Sequence, residues 1–220
     1  MKLVDRLITL ISLCIAFVIG YQILNIYYLM TETDINVFVQ KDLNENYDGL
    51  EDITTCINSD YSVCNDVVEE VDSRLPQDVK DAILATTVIE VIPGEMSDFM
   101  NYMHDKPIAE TTDSSISYAG ITGFGFADTT VVYAMNNEYV LFHEIGHAYE
   151  YVYWTYNQLP PTDTSEWRFS YDHEFVTSYG ASNIREFYAE CFATYFLDPT
   201  YLKAAAPVAY ELLNNDLGCY

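Results

Sequence analysis

The sequence predicts an α+β fold: a small twisted sheet, a mostly helical C-terminal half, and one hydrophobic helix ahead of both. Three observations carry this. Short β-branched runs bounded by turn residues all lie before residue 135. The long segments with helical apolar periodicity lie mainly after residue 137. The chain also opens on an apolar run without a single charge. Strands grouped ahead of helices point to a sheet packed on helices rather than to an alternating α/β order.

The opening run, Leu7–Met30, has Gln22 and Asn25 as its most polar members. It is long enough to cross a bilayer. Lys2 and Arg6 precede it, while Glu32 and Asp34 follow it. That charge order places the N-terminus in the cytoplasm and the remainder outside. Residues 1–31 therefore read as a membrane anchor, or alternatively as a signal peptide cleaved near Val18-Ile19-Gly20. Either reading exports residues 32–220 as one domain, tethered through residues 7–30 or released.

Within that domain Asp34–Gln40 alternates like a strand, and Lys41–Ser59 is polar and loop-rich. Asp60–Arg74 and Pro76–Leu84 read as helices, Pro76 suiting a first turn. Thr86–Ile92 is a β-branched strand closed by Pro93-Gly94, and Met96–His104 is a short helix. Thr111–Ser115 is a loop. Ile116–Ile121, Gly123–Phe126 and Thr130–Ala134 are short strands. Asn137–Tyr156 is a long helix, which Pro160-Pro161 must end. Trp167–Ser178 fits neither periodicity. Asn183–Leu197 is a strong helix stopped by Asp198-Pro199, and Tyr201–Asn214 is the last one.

Composition excludes some functions. Thirty-four acidic side chains face nine basic ones, a formal net charge of -25. Such a surface repels phosphate backbones, so no nucleic-acid partner is expected. Half of the residues are hydrophobic, which a packed core needs and a disordered chain lacks. Of the five cysteines, Cys14 lies in the apolar run, Cys56 and Cys64 are close enough in sequence to pair, and Cys191 and Cys219 can pair or stay free. Oligomeric state has no signature in the sequence.

The chemistry concentrates in His143-Glu144-Ile145-Gly146-His147, an HExxH motif on the long helix. Histidines four residues apart share one helix face and can hold one ion, and the intervening Glu144 is placed to take a proton from a water on that ion. A catalytic zinc site usually has three protein ligands. The extended pattern HExxHxxGxxH requires Gly at 150 and His at 153, where this chain has Glu150 and Tyr153. His104 and His173 are the other histidines. The stronger candidate for the third ligand is Glu186, on an apolar helix where a carboxylate is costly unless paired or metal-bound. Glu190 shares its face and can orient a ligand histidine from behind. Asn183 and Glu186 also have the spacing of a capping box.

The segment Tyr179-Gly180-Ala181-Ser182-Asn183-Ile184-Arg185-Glu186-Phe187-Tyr188-Ala189-Glu190-Cys191-Phe192-Ala193 resembles the C-terminal catalytic segment of anthrax lethal factor-like zinc metallopeptidases. Their pattern runs Tyr-Gly, then Asn, then Glu-Phe-Phe-Ala-Glu-x-Phe. The layout from Ile35 to Leu217 is also similar to that of the small secreted Pro-Pro endopeptidases of that superfamily. The resemblance implies a zincin-like domain, with one zinc ion held by His143, His147 and Glu186. It further implies that Glu144 is the general base, that Tyr179 stabilises the oxyanion and that Glu190 is the second carboxylate. The activity implied is endopeptidase hydrolysis of an extended peptide lying along an edge strand between Ile116 and Ala134. The alternative is a tethered module that keeps the fold without turnover. The chain differs from the Pro-Pro enzymes at Arg185, where they carry an acid, and at Tyr151, where they carry a histidine. It also lacks their tryptophan-bearing loop, so cleavage between prolines is not implied.

Overall fold

The computed structural model describes residues 49–104, 120–124, 130–155 and 158–217. The apolar run at 7–30, the expected strand at 34–40 and the loop at 111–115 lie outside these residues. Among the described residues, no helix is long and apolar enough to cross a membrane.

Four strands form one mixed sheet: β1 (Thr54–Cys56), β2 (Thr87–Ile92), β3 (Gly120–Phe124) and β4 (Thr130–Met135). Their spatial order is β1-β2-β4-β3. β1, β2 and β4 run parallel, and β3 pairs antiparallel with β4. β2 is buried at all but one position, as a strand covered on both faces should be. β4 alternates between buried and half-buried. Register sets the two faces: Ile89 lies opposite Val132, and Glu90 opposite Tyr133. Ile89, Val91, Val132 and Ala134 enter the main core. Ile92, Tyr133 and Met135 belong instead to a smaller cluster around Phe99. The three-residue β1 lies in a stretch expected to be loop. It is too short to show a period, and its pairing with β2 makes it a strand.

Eight α-helices surround the sheet among the described residues: α1 (Asn65–Arg74), α2 (Gln77–Thr86), α3 (Met96–His104), α4 (Glu138–Thr155), α5 (Ser165–His173), α6 (Ile184–Leu197), α7 (Pro199–Ala205) and α8 (Pro207–Asp216). α3 carries Phe99, the centre of the smaller cluster. A Cys56–Cys64 disulfide joins the end of β1 to the start of α1. The expected single helix 201–214 is two helices broken at Pro207. Proline there has no N–H to donate and clashes with the preceding turn, so α8 starts afresh with Pro207 in its first turn. The ambiguous stretch Trp167–Ser178 holds most of α5, which starts two residues before it and whose N-cap Thr164 accepts from the backbone N–H of Trp167.

α4 and α6 are the pair that positions the site. Leu141, Phe142, Ile145 and Ala148 of α4 are fully buried, as are Tyr188, Phe192 and Ala193 of α6. Phe142 stacks on Phe196 with ring centroids 5.1 Å apart, and Tyr149 meets Phe192 at 6.1 Å. Burying one such aromatic contributes about 2–3 kcal/mol. A Cβ on Gly146 would come within 3.0 Å of Phe192 Cβ, so glycine sets how closely the two helices approach.

Candidate metal centre and active site

α4 presents His143 and His147 one turn apart. α6 presents Glu186 from its own first turn. Asn183 caps α6 by accepting the N–H groups of Arg185 and Glu186 at 3.0 and 3.1 Å. The cap thus rests on Asn183, and the Glu186 carboxylate turns to the histidines instead of closing a capping box. His143 Nε2 lies 3.0 Å and His147 Nε2 3.2 Å from Glu186 Oε2, and the two Nε2 atoms are 3.2 Å apart. A tetrahedral zinc ion with bonds of about 2.0–2.1 Å asks for ligand atoms roughly 3.3 Å apart. Two imidazole nitrogens and a carboxylate oxygen at this spacing fit such an ion, both in geometry and in ligand chemistry. Among the described residues these three form the group able to hold a metal.

The electrostatics agree with the geometry. Burial alone would push the His143 pKa down, yet Glu186 and Glu190 beside its ring, with Glu144 near, hold it up to about 10. Burial would push Glu186 up, but the hydrogen bonds to His143 and His147 win and hold its carboxyl far below the ordinary range. The pocket is therefore built to receive positive charge.

Behind the histidines lies Glu190, only 4% exposed. Its Oε1 stands 2.9 Å from His143 Nδ1. Its Oε2 accepts from the Tyr139 hydroxyl at 2.7 Å and from the Thr177 hydroxyl. Desolvation raises its pKa, but these partners outweigh it and the net shift is downward. Tyr139 and Thr177 were not singled out from sequence. Tyr139 had a readable signal, since it lies four residues before His143 on the same helix face. Thr177 had none.

Tyr179 precedes a single 3-10 turn at Gly180–Ser182, and its ring centre lies 5.6 Å from that of His143. Glu144 is buried at 4% exposure and acts electrostatically on His143. The structure thus brings together His143, Glu144, His147, Tyr179, Glu186 and Glu190. His173 is elsewhere engaged: its Nδ1 bonds the Phe169 carbonyl at 2.8 Å and its ring stacks on Phe169. The His104 side chain lies outside the described set. Of the cysteines not in the disulfide, Cys191 is a buried free thiol, and Cys14 and Cys219 lie outside the described residues.

A mixed sheet against a helix carrying two metal-type histidines, with a carboxylate from a following helix, defines a zincin-like α+β fold. Comparison with known proteins agrees. Residues 127–216, less than half of the chain, match the family model described as anthrax toxin lethal factor, N- and C-terminal domain. Among solved structures, the Pro-Pro endopeptidase PPEP-2 from Paenibacillus alvei superposes with a TM-score of 0.56 at 16% identity, covering 76% of this chain and 98% of that one. No curated protein matches the chain. In sequence and in fold the chain resembles the lethal factor-like zinc metallopeptidases.

Proposed function

We propose that this chain is an exported zinc-dependent endopeptidase acting on extended protein segments. The observation that carries the proposal is the convergence of three ligand-type atoms from α4 and α6 at 3.0–3.2 Å, with Glu144 beside them. The likeness to a Pro-Pro endopeptidase fold supports it. His143, His147 and Glu186 would hold one zinc ion, which supplies Lewis-acid polarisation of a peptide carbonyl and of a water.

The protein groups around that ion have separable tasks. Glu144 takes the proton from the attacking water and passes it to the leaving amine. The Tyr179 phenol donates to the oxyanion that develops on the carbonyl, a contact typically worth about 3 kcal/mol. Glu190 holds His143 with its Nδ1 turned to the carboxylate and its Nε2 to the ligand cluster, fixing the tautomer and the ring orientation. β3 lies at the sheet edge beyond β4 and against α4, where an extended peptide can add as a further strand.

Export rests on the charge-free run 7–30 with its basic flank. It is supported by the Cys56–Cys64 disulfide, a bond of oxidising compartments.

Glu144→Gln tests the mechanism in the full-length protein. Zinc content, read by elemental mass spectrometry, stays at the parent level. Turnover of a quenched-fluorescent peptide library falls by roughly 10²–10⁴-fold. Cleavage at the parent rate would remove Glu144 from the reaction. A zinc-loaded parent that binds peptides but cleaves none would leave a tethered binding module instead.

A further inference from the structure

Thr177 lies outside the ligand set and outside the reacting groups, yet its hydroxyl joins the two. It donates to Glu190 Oε2 and accepts from the backbone N–H of Gly180 at 2.9 Å. The Thr177 carbonyl accepts from the Ala181 N–H at 3.2 Å. Side chain and backbone together therefore bracket Tyr179 in one local turn, a use to which threonine hydroxyls are suited. Gly180 closes the same joint from the other side. A Cβ there would meet Glu190 Cγ and the Phe187 Cα, both at 3.3 Å. The turn that carries Tyr179 is thus seated directly on the stem of Glu190. Glu190 is in turn fixed by Tyr139 at 2.7 Å and faces His143 Nδ1 at 2.9 Å.

We propose that Thr177 is a positioning residue that locks the Tyr179 turn to the Glu190–His143 pair, so that phenol and metal ligands keep one spacing. The inference rests on the role assigned to Tyr179 in the proposed peptidase. Its physical basis is reach. A single hydroxyl serving both as donor to a buried carboxylate and as acceptor for the next-but-two amide leaves the turn one place to sit. Without it, Glu190 keeps the Tyr139 hydroxyl and stays oriented on His143, while the turn keeps its backbone bond from the Ala181 N–H and loses the side-chain tie that holds it to Glu190. The predicted loss therefore falls on the placement of Tyr179 and spares the holding of the ion.

Thr177→Val removes the hydroxyl at constant shape, Thr177→Ser restores it, and Thr177→Ala serves if valine does not fold. In full-length protein without metal, amide hydrogen exchange over residues 177–182 should quicken in Thr177→Val and return to the parent rate in Thr177→Ser. With zinc, kcat on the best-cleaved member of a quenched-fluorescent peptide library should fall roughly 10- to 100-fold in Thr177→Val. KM and zinc content should stay near the parent values. In a Tyr179→Phe background the same substitution should cost little more. Parent exchange and parent kcat in Thr177→Val overturn the proposal. So does an undiminished further loss in the Tyr179→Phe background, which marks a general packing defect. If Tyr179→Phe alone leaves kcat unchanged, the oxyanion role fails, while the exchange measurement still decides whether Thr177 holds the turn.

Discussion

Glu150 shows how much a single buried carboxylate depends on its surroundings. It lies one turn beyond His147 on α4, 2% exposed, and accepts from the Thr162 hydroxyl. Burial raises its pKa. The Thr162 hydrogen bond and the nearby His147 and Arg185 pull it down, Asp163 pushes it up, and the net shift is upward. A carboxyl whose folded pKa lies above its unfolded value favours folding at low pH. That advantage is lost as pH rises from the unfolded value through the folded one. Glu150→Gln keeps an acceptor for Thr162 and abolishes the titration. In denaturant unfolding of the chelator-treated protein, its stability relative to the parent should rise as pH climbs from the acid side through the carboxylate range to neutrality. A stability difference that does not change with pH would contradict this. Glu186 and Glu190 shift the other way because each meets an imidazole at about 3 Å.

α4 and α6 are held at a distance that glycine sets. Gly146→Ala adds about 1 kcal/mol of helix propensity. It also forces a methyl to within 3.0 Å of Phe192 Cβ, the rigid base of a fully buried side chain. Overpacking of this kind costs about 1–3 kcal/mol, so the net effect should be a loss of up to about 2 kcal/mol by urea unfolding. Zinc affinity should fall with it, because any parting of the helices separates Glu186 from the histidines. A stabilised variant with parent affinity would show that the contact relaxes freely. These two helices were legible in sequence to within a residue or so, because each carries a long apolar period and a polar start. β1 was not legible, and α7–α8 read as one helix. A three-residue strand exists only through its partner β2, and the break at Pro207 sits inside an otherwise uniform apolar period.

For the whole molecule, an ion held by His143, His147 and Glu186 would be a clamp between segments far apart in the chain. These three residues come from α4 and α6, so binding to the folded state alone would stabilise both the pairing of these helices and their seat on the sheet. At a free zinc concentration a thousand times the dissociation constant, this contributes about 4 kcal/mol. A chelator should therefore lower Tm by roughly 10 °C in a chain of this size. An unchanged Tm on chelation, with zinc release verified, would mean that the ion contributes nothing to holding these helices. The charge of -25 favours the same outcome, since a dication relieves repulsion among Glu144, Glu186 and Glu190 at the centre of an acidic molecule.

The sequence by itself determined the α+β order, the ligand-type pair His143 and His147 with Glu144 between them, and the candidacy of Glu186, Tyr179 and Glu190. Helical periodicity and residue chemistry are local, so they can be read along one line of text. Only the tertiary structure decided that Glu186 closes a triangle with the two histidines, that Tyr139 and Thr177 share one oxygen of Glu190, and that Cys56 meets Cys64. Those contacts depend on how far apart α4, α6 and the turn at 177–180 come to rest. That spacing is set by packing between side chains distant in the chain, such as Gly146 against Phe192, and no local pattern encodes it.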